Sequence, residues 1–273
     1  QARQIEPGLD PGVTIHAGIH LPGDSVANSR HFAQLLKTEA QRRGVRFQFD
    51  LEVVDLHAGP PWQLHCRATS ESQQARDASA TPPCSVDAVI LCTAPGAPQL
   101  MARLGYRLPM VAMHGYTITA PILSRDSMPD PGPQAAVVDV AEQVQLSRLG
   151  ERVRVSGGAI LGTPSPGSDR AAWDRLYRIL DTWFPGAARI SKAQEWRGAR
   201  PMLPSGLPAI GPTTRPGLWV NTGHGDQGWA FACGSARLLA DQVAGRQCLW
   251  DPQAFAPSRA GLGAPSLLPQ ATP

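Results

Sequence analysis

The stretch GLWVNTGHGDQGWAFACGSARLLADQVAG, residues 217–245, decides how the rest of the chain is interpreted. Its apolar start predicts a strand, the spacing G-x-G-x-x-G follows at Gly223, Gly225 and Gly228, and a helix-like run comes next. Glycines let a backbone approach a ligand closely, and the helix start directs N–H groups and partial positive charge at that ligand. The loop therefore suits an electron-rich group. A tight strand-to-helix turn that needs glycines only for close packing is the alternative.

The same spacing is the phosphate-binding fingerprint of dinucleotide domains, but its context here is different. That fingerprint opens a βαβ unit of roughly 30 residues and has an acidic residue about 20 positions further on. Here the helix is followed by GRQCLW and a stretch rich in Pro, Ala and Ser, and the nearby acid, Asp241, lies inside the helix. The sequence therefore disfavours an ordinary pyrophosphate loop.

Composition limits the function classes that remain. A chain of 273 residues with 42% hydrophobic and 17% charged residues is typical of a soluble globular protein, as one large domain or two interleaved ones. A net charge of +3 is too small to indicate nucleic-acid binding. No apolar run approaches the roughly 18 residues of a membrane span, which leaves a peripheral membrane contact open.

The five cysteines are scattered and lack C-x-x-C spacing, which disfavours disulfide frameworks and metal sites and fits a cytoplasmic protein. Because the chain starts with Gln1 and shows no signal peptide, we expect that upstream sequence is missing.

Hydrophobic periodicity predicts the main elements. Helices are expected over residues 29–45 and 169–185, where apolar side chains recur at helical spacing. A strand is expected from Phe47, where apolar and polar residues alternate, and residues 86–97 are typical of a buried parallel strand that ends in a small-residue turn. Residues 108–161 predict antiparallel strands. Residues from 251 onward lack periodicity and are expected to be a disordered tail.

An ordered series of short motifs carries a family resemblance. They are Trp196-x-Gly198-x-Arg200-Pro201, Gly206-Leu207-Pro208-x-Ile210-Gly211, Asn221-Thr222-Gly223-His224-Gly225-x-x-Gly228-Trp229 and Ala232-Cys233-Gly234-Ser235. In this order they resemble the C-terminal part of the FAD-dependent D-amino-acid oxidase superfamily, and within it the bacterial D-amino acid dehydrogenases. The resemblance spans roughly residues 5–247.

The resemblance implies a mixed α/β (α+β) fold with two interleaved parts. An FAD-binding, Rossmann-like domain, whose N-terminal βαβ part would precede Gln1, takes residues 25–104 and 195–250. A substrate domain with a mixed, largely antiparallel β-sheet takes residues 1–24 and 105–194.

The resemblance also implies roles for individual residues. Those expected at the flavin are Val53, Thr93, Ala94, Trp196, Gly198, Gly223, His224, Gly225, Gln227, Gly228 and Trp229. By this resemblance, residues 223–228 form the family's second flavin loop rather than its pyrophosphate loop. His224 is expected in a structural or flavin-contacting role rather than in acid–base catalysis, and Val53 either meets the adenine through its backbone or packs in the core.

Two residues are candidates for the catalytic, substrate-binding site. A guanidinium held in a fixed direction can bind a carboxylate through two parallel hydrogen bonds, and the resemblance gives this role to Arg200. From the residues alone, a surface salt bridge is the alternative. Tyr116 is expected either at the active-site face or in the core.

The activity implied is oxidative deamination of D-amino acids to 2-oxo acids and ammonia, by hydride transfer to flavin N5. The electron acceptor is expected to be a quinone-like or other carrier, with no nucleic-acid partner and a cytoplasmic location that leaves the inner membrane face open. A glycine- or sarcosine-type amine oxidase and a truncated, inactive fragment without cofactor are the alternatives.

Overall fold

The computed structural model describes residues 1–69, 83–123, 130–165 and 167–263. The chain divides into two compact units, each assembled from two separated segments. The first unit comprises Gln1–Glu39 and His114–Ala199, and the second comprises Ala40–Met113 and Arg200–Pro273.

Helices and strands are mixed along the whole chain. The described α-helices are α1 (Ala2–Ile5), α2 (Ser29–Arg42), α3 (Ala97–Arg103), α4 (Ser168–Trp183) and α5 (Gly228–Val243). The described strands are β1 (Leu51–His57), β2 (Trp62–Ala68), β3 (Cys84–Val86), β4 (Val89–Leu91), β5 (Val111–Pro121), β6 (Val137–Asp139), β7 (Val144–Leu149), β8 (Arg152–Leu161), β9 (Gln194–Met202), β10 (Ala209–Pro212) and β11 (Leu218–Thr222). Short 3-10 turns cover Ile190–Lys192, Gly225–Gln227 and Pro252–Phe255.

The antiparallel strands predicted over residues 108–161 supply β5 to β8 of a sheet with the order β6-β7-β8-β5-β9, to which β9 is an addition that was not predicted. Strand β7 pairs antiparallel with both β6 and β8. Helix α4 supplies Leu176, Ile179 and Leu180 to the core of the first unit, where they join Val144 and Val155. The helix predicted over residues 169–185 is thus confirmed, because its 3.6-residue apolar spacing matches one buried face.

The second unit contains two three-stranded sheets. One has the order β1-β2-β3 and is antiparallel. The other has the order β10-β11-β4, in which β11 pairs antiparallel with β10 and parallel with β4. The parallel strand predicted within residues 86–97 is therefore present as β4, although it is only three residues long.

Strand β1 begins later than predicted. The expected strand start at Phe47 is wrong, because Asp50 has a left-handed backbone with φ 57° and interrupts the extended chain before Leu51. Phe47 and Phe49 precede this break, are exposed, and stack on each other with ring centroids 6.0 Å apart.

Helix α2 confirms the helix predicted from residue 29 and ends just before Gly44, whose φ of 90° suits a helix stop. None of its residues is buried, and its apolar residues Phe32, Leu35 and Leu36 are exposed. Periodicity therefore predicted the helix itself, but not the exposure of its apolar face.

The segment after residue 250 differs from the expected disordered tail. Asp251 caps the 3-10 turn Pro252–Phe255 by accepting a hydrogen bond from the Gln253 amide at 2.9 Å. Ala260 is buried in the core of the second unit, and the Gly263 amide donates to the Arg107 carbonyl at 3.0 Å. Apolar contacts that the sequence does not reveal hold these residues in place. Residues 264–273 lie outside the described residues.

Candidate functional site

Two predicted site segments follow the parallel strands β4 and β11 at the same edge of the sheet. They are the loop with Thr93 and Ala94, after β4, and the glycine loop, after β11. Leu218 lies opposite Val89 and Val220 opposite Leu91, so both strands present their carboxyl ends on the same side. Ligands of open α/β sheets bind at this kind of edge. The Thr222 hydroxyl donates a hydrogen bond to the Thr93 carbonyl at 2.8 Å and ties the two loops to each other. The structure thus brings Thr93 and Ala94 together with the glycine loop.

The glycine loop needs glycine at two of its three positions. Gly223 has φ 80° and Gly225 has φ 57°, a backbone region that side chains with a Cβ rarely adopt, whereas Gly228 has an ordinary φ of −55°. Both left-handed glycines also pack closely. A Cβ on Gly223 would approach Leu203 Cγ to 2.7 Å, and one on Gly225 would approach Met202 Sδ to 2.9 Å. Turn geometry and close packing therefore both require glycine at these two positions. The alternative that the glycines serve close packing accounts for part of the spacing.

The start of helix α5 is suited to an electron-rich group. Within the described part of the chain, the side chain of the N-cap residue, Gln227, makes no capping hydrogen bond, and no acidic residue lies in the first turn of this 16-residue helix. The first N–H groups of a helix lack intrahelical acceptors and carry partial positive charge. The start of α5 therefore carries no side-chain cap of its own beside the glycine loop.

Two buried polar atoms at the loop support the same interpretation. Asn221 Oδ1 and His224 Nε2 are buried and have no hydrogen-bond partner among the described residues. Burial lowers the pKa of His224 and so favours its neutral imidazole. Buried polar atoms normally have partners, so these two fit a polar group of a bound cofactor. Together with the left-handed glycines and the helix start, they fit part of a flavin.

Arg200 lies on the part of β9 that belongs to the second unit, two residues before Met202. Met202 and His224 form an antiparallel bridge, so the end of β9 runs beside the glycine loop. A largely apolar cleft of about 250 Å³ adjoins Pro201, with Met110 and Ala112 among its lining residues. The structure thereby places the predicted carboxylate-binding segment, the glycine loop and a small cleft in one unit.

Trp196 and Gly198 lie on the other part of β9, in the first unit. The indole of Trp196 covers Gly198 closely: a Cβ there would come within 2.7 Å of the indole Cζ3. Trp196 itself is 62% exposed. The spacing Trp-x-Gly therefore has a packing reason, since alternate residues of a strand share one face.

Tyr116 is placed in the core of the first unit and is 1% exposed. Its hydroxyl donates to Asp169 Oδ1 at 2.8 Å, and Arg197 Nη1 lies 2.8 Å from Asp169 Oδ2. Burial, followed by the hydrogen bond to Asp169, raises the pKa of Tyr116. The ring packs edge-on against Trp173, with centroids 5.9 Å apart. In this conformation Tyr116 is a core residue whose hydroxyl already has a partner.

The remaining predicted cofactor residues lie in the second unit. Val53 is partly buried on β1 and packs against the core of that unit. Gln227 and Trp229 are exposed at the start of α5. The sequence interpretation missed Leu203 and Asp169, because each acts through a partner far along the chain; Asp169 and Tyr116 are 53 residues apart.

The described residues contain neither a cluster of metal ligands nor a membrane-spanning helix. No group of three or more His, Cys, Asp or Glu side chains in this part of the chain is arranged to hold a metal ion. None of the helices there combines the length and apolar character needed to cross a bilayer.

The fold and the loop define a class: an α/β protein that presents a glycine loop and a helix start at the carboxyl edge of parallel strands, as flavin-dependent oxidoreductases do. The chain belongs to the FAD dependent oxidoreductase (DAO) family, whose model matches residues 1–242. The family resemblance inferred from the motifs is thereby confirmed, and FAD is the cofactor of this family.

Curated relatives with the name D-amino acid dehydrogenase are similar over most of this chain. The protein from a Methylobacterium species is 36% identical over 85% of the chain and 52% of its own length. The protein from Agrobacterium fabrum is 34% identical over 93% of the chain and 58% of its own length. The chain therefore spans about half the length of the curated relatives it matches.

Solved structures show the same fold at low sequence identity. Glycine oxidase from Geobacillus kaustophilus matches with a TM-score of 0.77 and 22% identity, over 94% of this chain and 65% of that one. L-proline dehydrogenase from P. horikoshii matches with a TM-score of 0.70 and 15% identity, over 94% and 66%. These matches confirm the predicted mixed α/β fold class.

Proposed function

We propose that this chain serves in the FAD-dependent oxidative deamination of D-amino acids to 2-oxo acids and ammonia. The observation that carries the proposal is the glycine loop at the β11–β4 edge, followed by a helix start that has no side-chain cap and accompanied by two buried polar atoms that have no partner among the described residues. The names of the 34–36% identical relatives support the substrate class. We also propose the second unit as the cofactor part and the first unit as the substrate part.

FAD, when bound, supplies the acceptor for a hydride from the substrate α-carbon. On this proposal the segment from Gly223 to Trp229 holds the flavin, with Thr93 and Ala94 on the neighbouring loop. The partial positive charge at the start of α5 would stabilise the negative charge that the cofactor gains when it accepts a hydride, because a helix N-terminus is already oriented and needs no reorganisation. His224 stays neutral in this site and acts as a polar contact.

Arg200 is proposed to bind the substrate carboxylate through two parallel hydrogen bonds. A carboxylate held in this way orients the α-carbon, and orientation alone can supply a large part of the rate enhancement. Tyr116 is proposed as a positioning residue that acts through Asp169, because its hydroxyl is buried and engaged. Val53, Trp196 and Gly198 are kept as cofactor contacts on the family resemblance alone.

The test combines cofactor binding with substrate-dependent reduction. FAD is titrated into the protein while flavin fluorescence is followed, and then D-alanine, L-alanine and glycine are compared with a quinone-type dye or with oxygen as acceptor. In a form extended to the length of its curated relatives, the proposal expects saturable FAD binding and dye reduction with D-alanine. Oxygen consumption with glycine would favour an amine oxidase, and a failure to bind FAD would indicate a truncated, inactive fragment without cofactor.

Arg200→Ala tests the carboxylate site directly. In the same extended form, loss of two charge-assisted hydrogen bonds should raise KM for D-alanine by an amount equivalent to about 2–4 kcal/mol. Arg200→Lys should recover only part of this, because a point charge cannot reproduce the planar two-bond contact. Arg259→Ala, which removes an exposed arginine of the same unit, is the matched control. An unchanged KM in Arg200→Ala would remove this residue from the substrate site.

A further inference from the structure

A β-bulge in the second unit gathers polar side chains on one face of the sheet β1-β2-β3. Val53 pairs with Cys66 but Asp55 pairs with His65, so one extra residue lies between these pairs on β1. Such an extra residue shifts the inward and outward alternation of a strand. Val53 and the buried Leu56 both pack in the core, which leaves Asp55 and His57 on the opposite face, beside His65.

The two imidazoles meet edge to edge on this face. His57 Nδ1 lies 3.2 Å from His65 Nε2, and the ring centroids are 4.5 Å apart with the planes inclined at 58°. In tetrahedral zinc sites the Zn–N bonds of about 2.0–2.1 Å place two ligand nitrogens about 3.3–3.4 Å apart. The observed separation is therefore close to that of two imidazoles that share one metal ion.

A carboxylate stands on the far side of His57. Asp55 Oδ2 lies 3.4 Å from His57 Nε2. Metal-binding histidines commonly donate their second ring N–H to a carboxylate, which leaves the other nitrogen's lone pair to the metal. With its proton on Nε2, His57 would direct the Nδ1 lone pair toward His65. Arg103 Nη1 lies 3.8 Å from the other Asp55 oxygen, Oδ1, so Oδ2 remains directed to the histidine.

We propose that His57 and His65 form a binding site for a divalent late first-row transition ion such as Zn²⁺, Ni²⁺ or Cu²⁺. Imidazole nitrogen is a preferred ligand of these ions, and affinity should follow the order Ni²⁺ < Cu²⁺ > Zn²⁺. Within the described residues no third His, Cys, Asp or Glu side chain completes the set, so water fills the other positions. His57 is 60% exposed, which gives water and metal access. The ion would link β1 to β2 across the bulge, independently of the flavin site.

The test is titration of the untagged protein with the chloride salts of Zn²⁺, Ni²⁺ and Cu²⁺ in a calorimeter. We expect one-to-one binding that weakens at least about tenfold in His57→Gln and in His65→Gln. Asp55→Asn should weaken it less, because that residue only orients His57. His31→Gln removes an isolated exposed histidine from α2 and should leave the affinity unchanged.

A second readout separates metal binding from damage to the fold. Far-UV circular dichroism and the metal-free unfolding temperature of each variant should match those of the parent, because none of the substituted side chains belongs to the buried core. The Cu²⁺ complex should show electron paramagnetic resonance couplings to two imidazole nitrogens. If either histidine variant kept the parent affinity, or if the spectrum lacked nitrogen couplings, the contact would be a histidine–histidine hydrogen bond and the proposal would be overturned.

Discussion

Replacement of Gly223 by alanine gives a sharp test of why the loop at the β11–β4 edge needs glycine. The new methyl group would meet two obstacles at once. Its backbone would have to keep a φ of 80°, and its Cβ would come within 2.7 Å of Leu203 Cγ and closer still to Cδ1. Leu203 is buried in the core of the second unit, so it has little room to move away.

The two obstacles can be given separate magnitudes. Left-handed backbone costs an L-residue about 1–2 kcal/mol, and overpacking of a filled core costs about 1–3 kcal/mol. The lower chain entropy of unfolded alanine offsets about 0.4–1 kcal/mol. We therefore expect Gly223→Ala to lower the free energy of unfolding by about 2–4 kcal/mol. Gly245→Ala, at φ 62° with open space around it, should lower it by only about 1 kcal/mol.

Urea unfolding followed by tryptophan fluorescence measures both variants. The midpoint should fall while the slope stays constant, which indicates a change in stability alone. In the double variant Gly223→Ala/Leu203→Ala, the cavity left by the leucine accepts the methyl group. The loss of unfolding free energy in the double variant should therefore be about 1–3 kcal/mol smaller than the sum of the losses in the two single variants. The reasoning fails if Gly223→Ala is no more destabilising than Gly245→Ala, or if the double variant is strictly additive.

Two further predictions concern titratable groups. Asp241 is 1% exposed and accepts hydrogen bonds from Arg237 Nε and Arg246 Nε, and both arginines lower its pKa. The stabilisation that the ionised Asp241 contributes is therefore present above the unfolded pKa of about 4. It disappears as pH falls through the lower pKa of the folded state. Asp241→Asn should therefore lower the thermal midpoint by several degrees at pH 7 and by progressively less toward pH 3, and an equal loss at both pH values would contradict this. Burial and the hydrogen bond to Glu195 raise the pKa of Tyr177 to about 12, so its contribution holds below pH 10 and is lost as pH rises through 12. The absorbance at 295 nm should show a step near pH 12 that Tyr177→Phe removes, and a step that survives the substitution would belong to another tyrosine.

Local patterns predicted the parts of the fold that depend on local physics. Helices α2 and α4 follow from a 3.6-residue apolar period, and the strand–loop–helix arrangement around residues 223–228 follows from residue type and spacing. The strand expected from Phe47 failed, because the alternating pattern continues through Asp50 while the backbone does not. The sequence within ten residues of Asp50 does not distinguish a continuous strand from one that is interrupted at this residue.

Long-range contacts account for what the sequence did not reveal at the candidate site. The close packing of Leu203 on Gly223 and the hydrogen bond from Tyr116 to Asp169 depend on segments that meet only after folding. The sequence could therefore name Tyr116 as a candidate, yet it could not decide between the active-site face and the core. It also gave no sign of the bulge after Val53, which turns Asp55 and His57 outward.

The division of each unit between two distant segments has a consequence for synthesis on the ribosome. The indole of Trp62 donates a hydrogen bond to the Pro216 carbonyl, which is synthesised 154 residues later. The Thr93 carbonyl accepts one from the Thr222 hydroxyl, which is synthesised 129 residues later. At translation rates of about 5–20 residues per second, the first of these intervals lasts roughly 8–30 s. During that time Val89 and Leu91 have emerged without the partner strand that will cover them. The nascent chain thus passes through an obligatory period in which these apolar residues lack their partner strand.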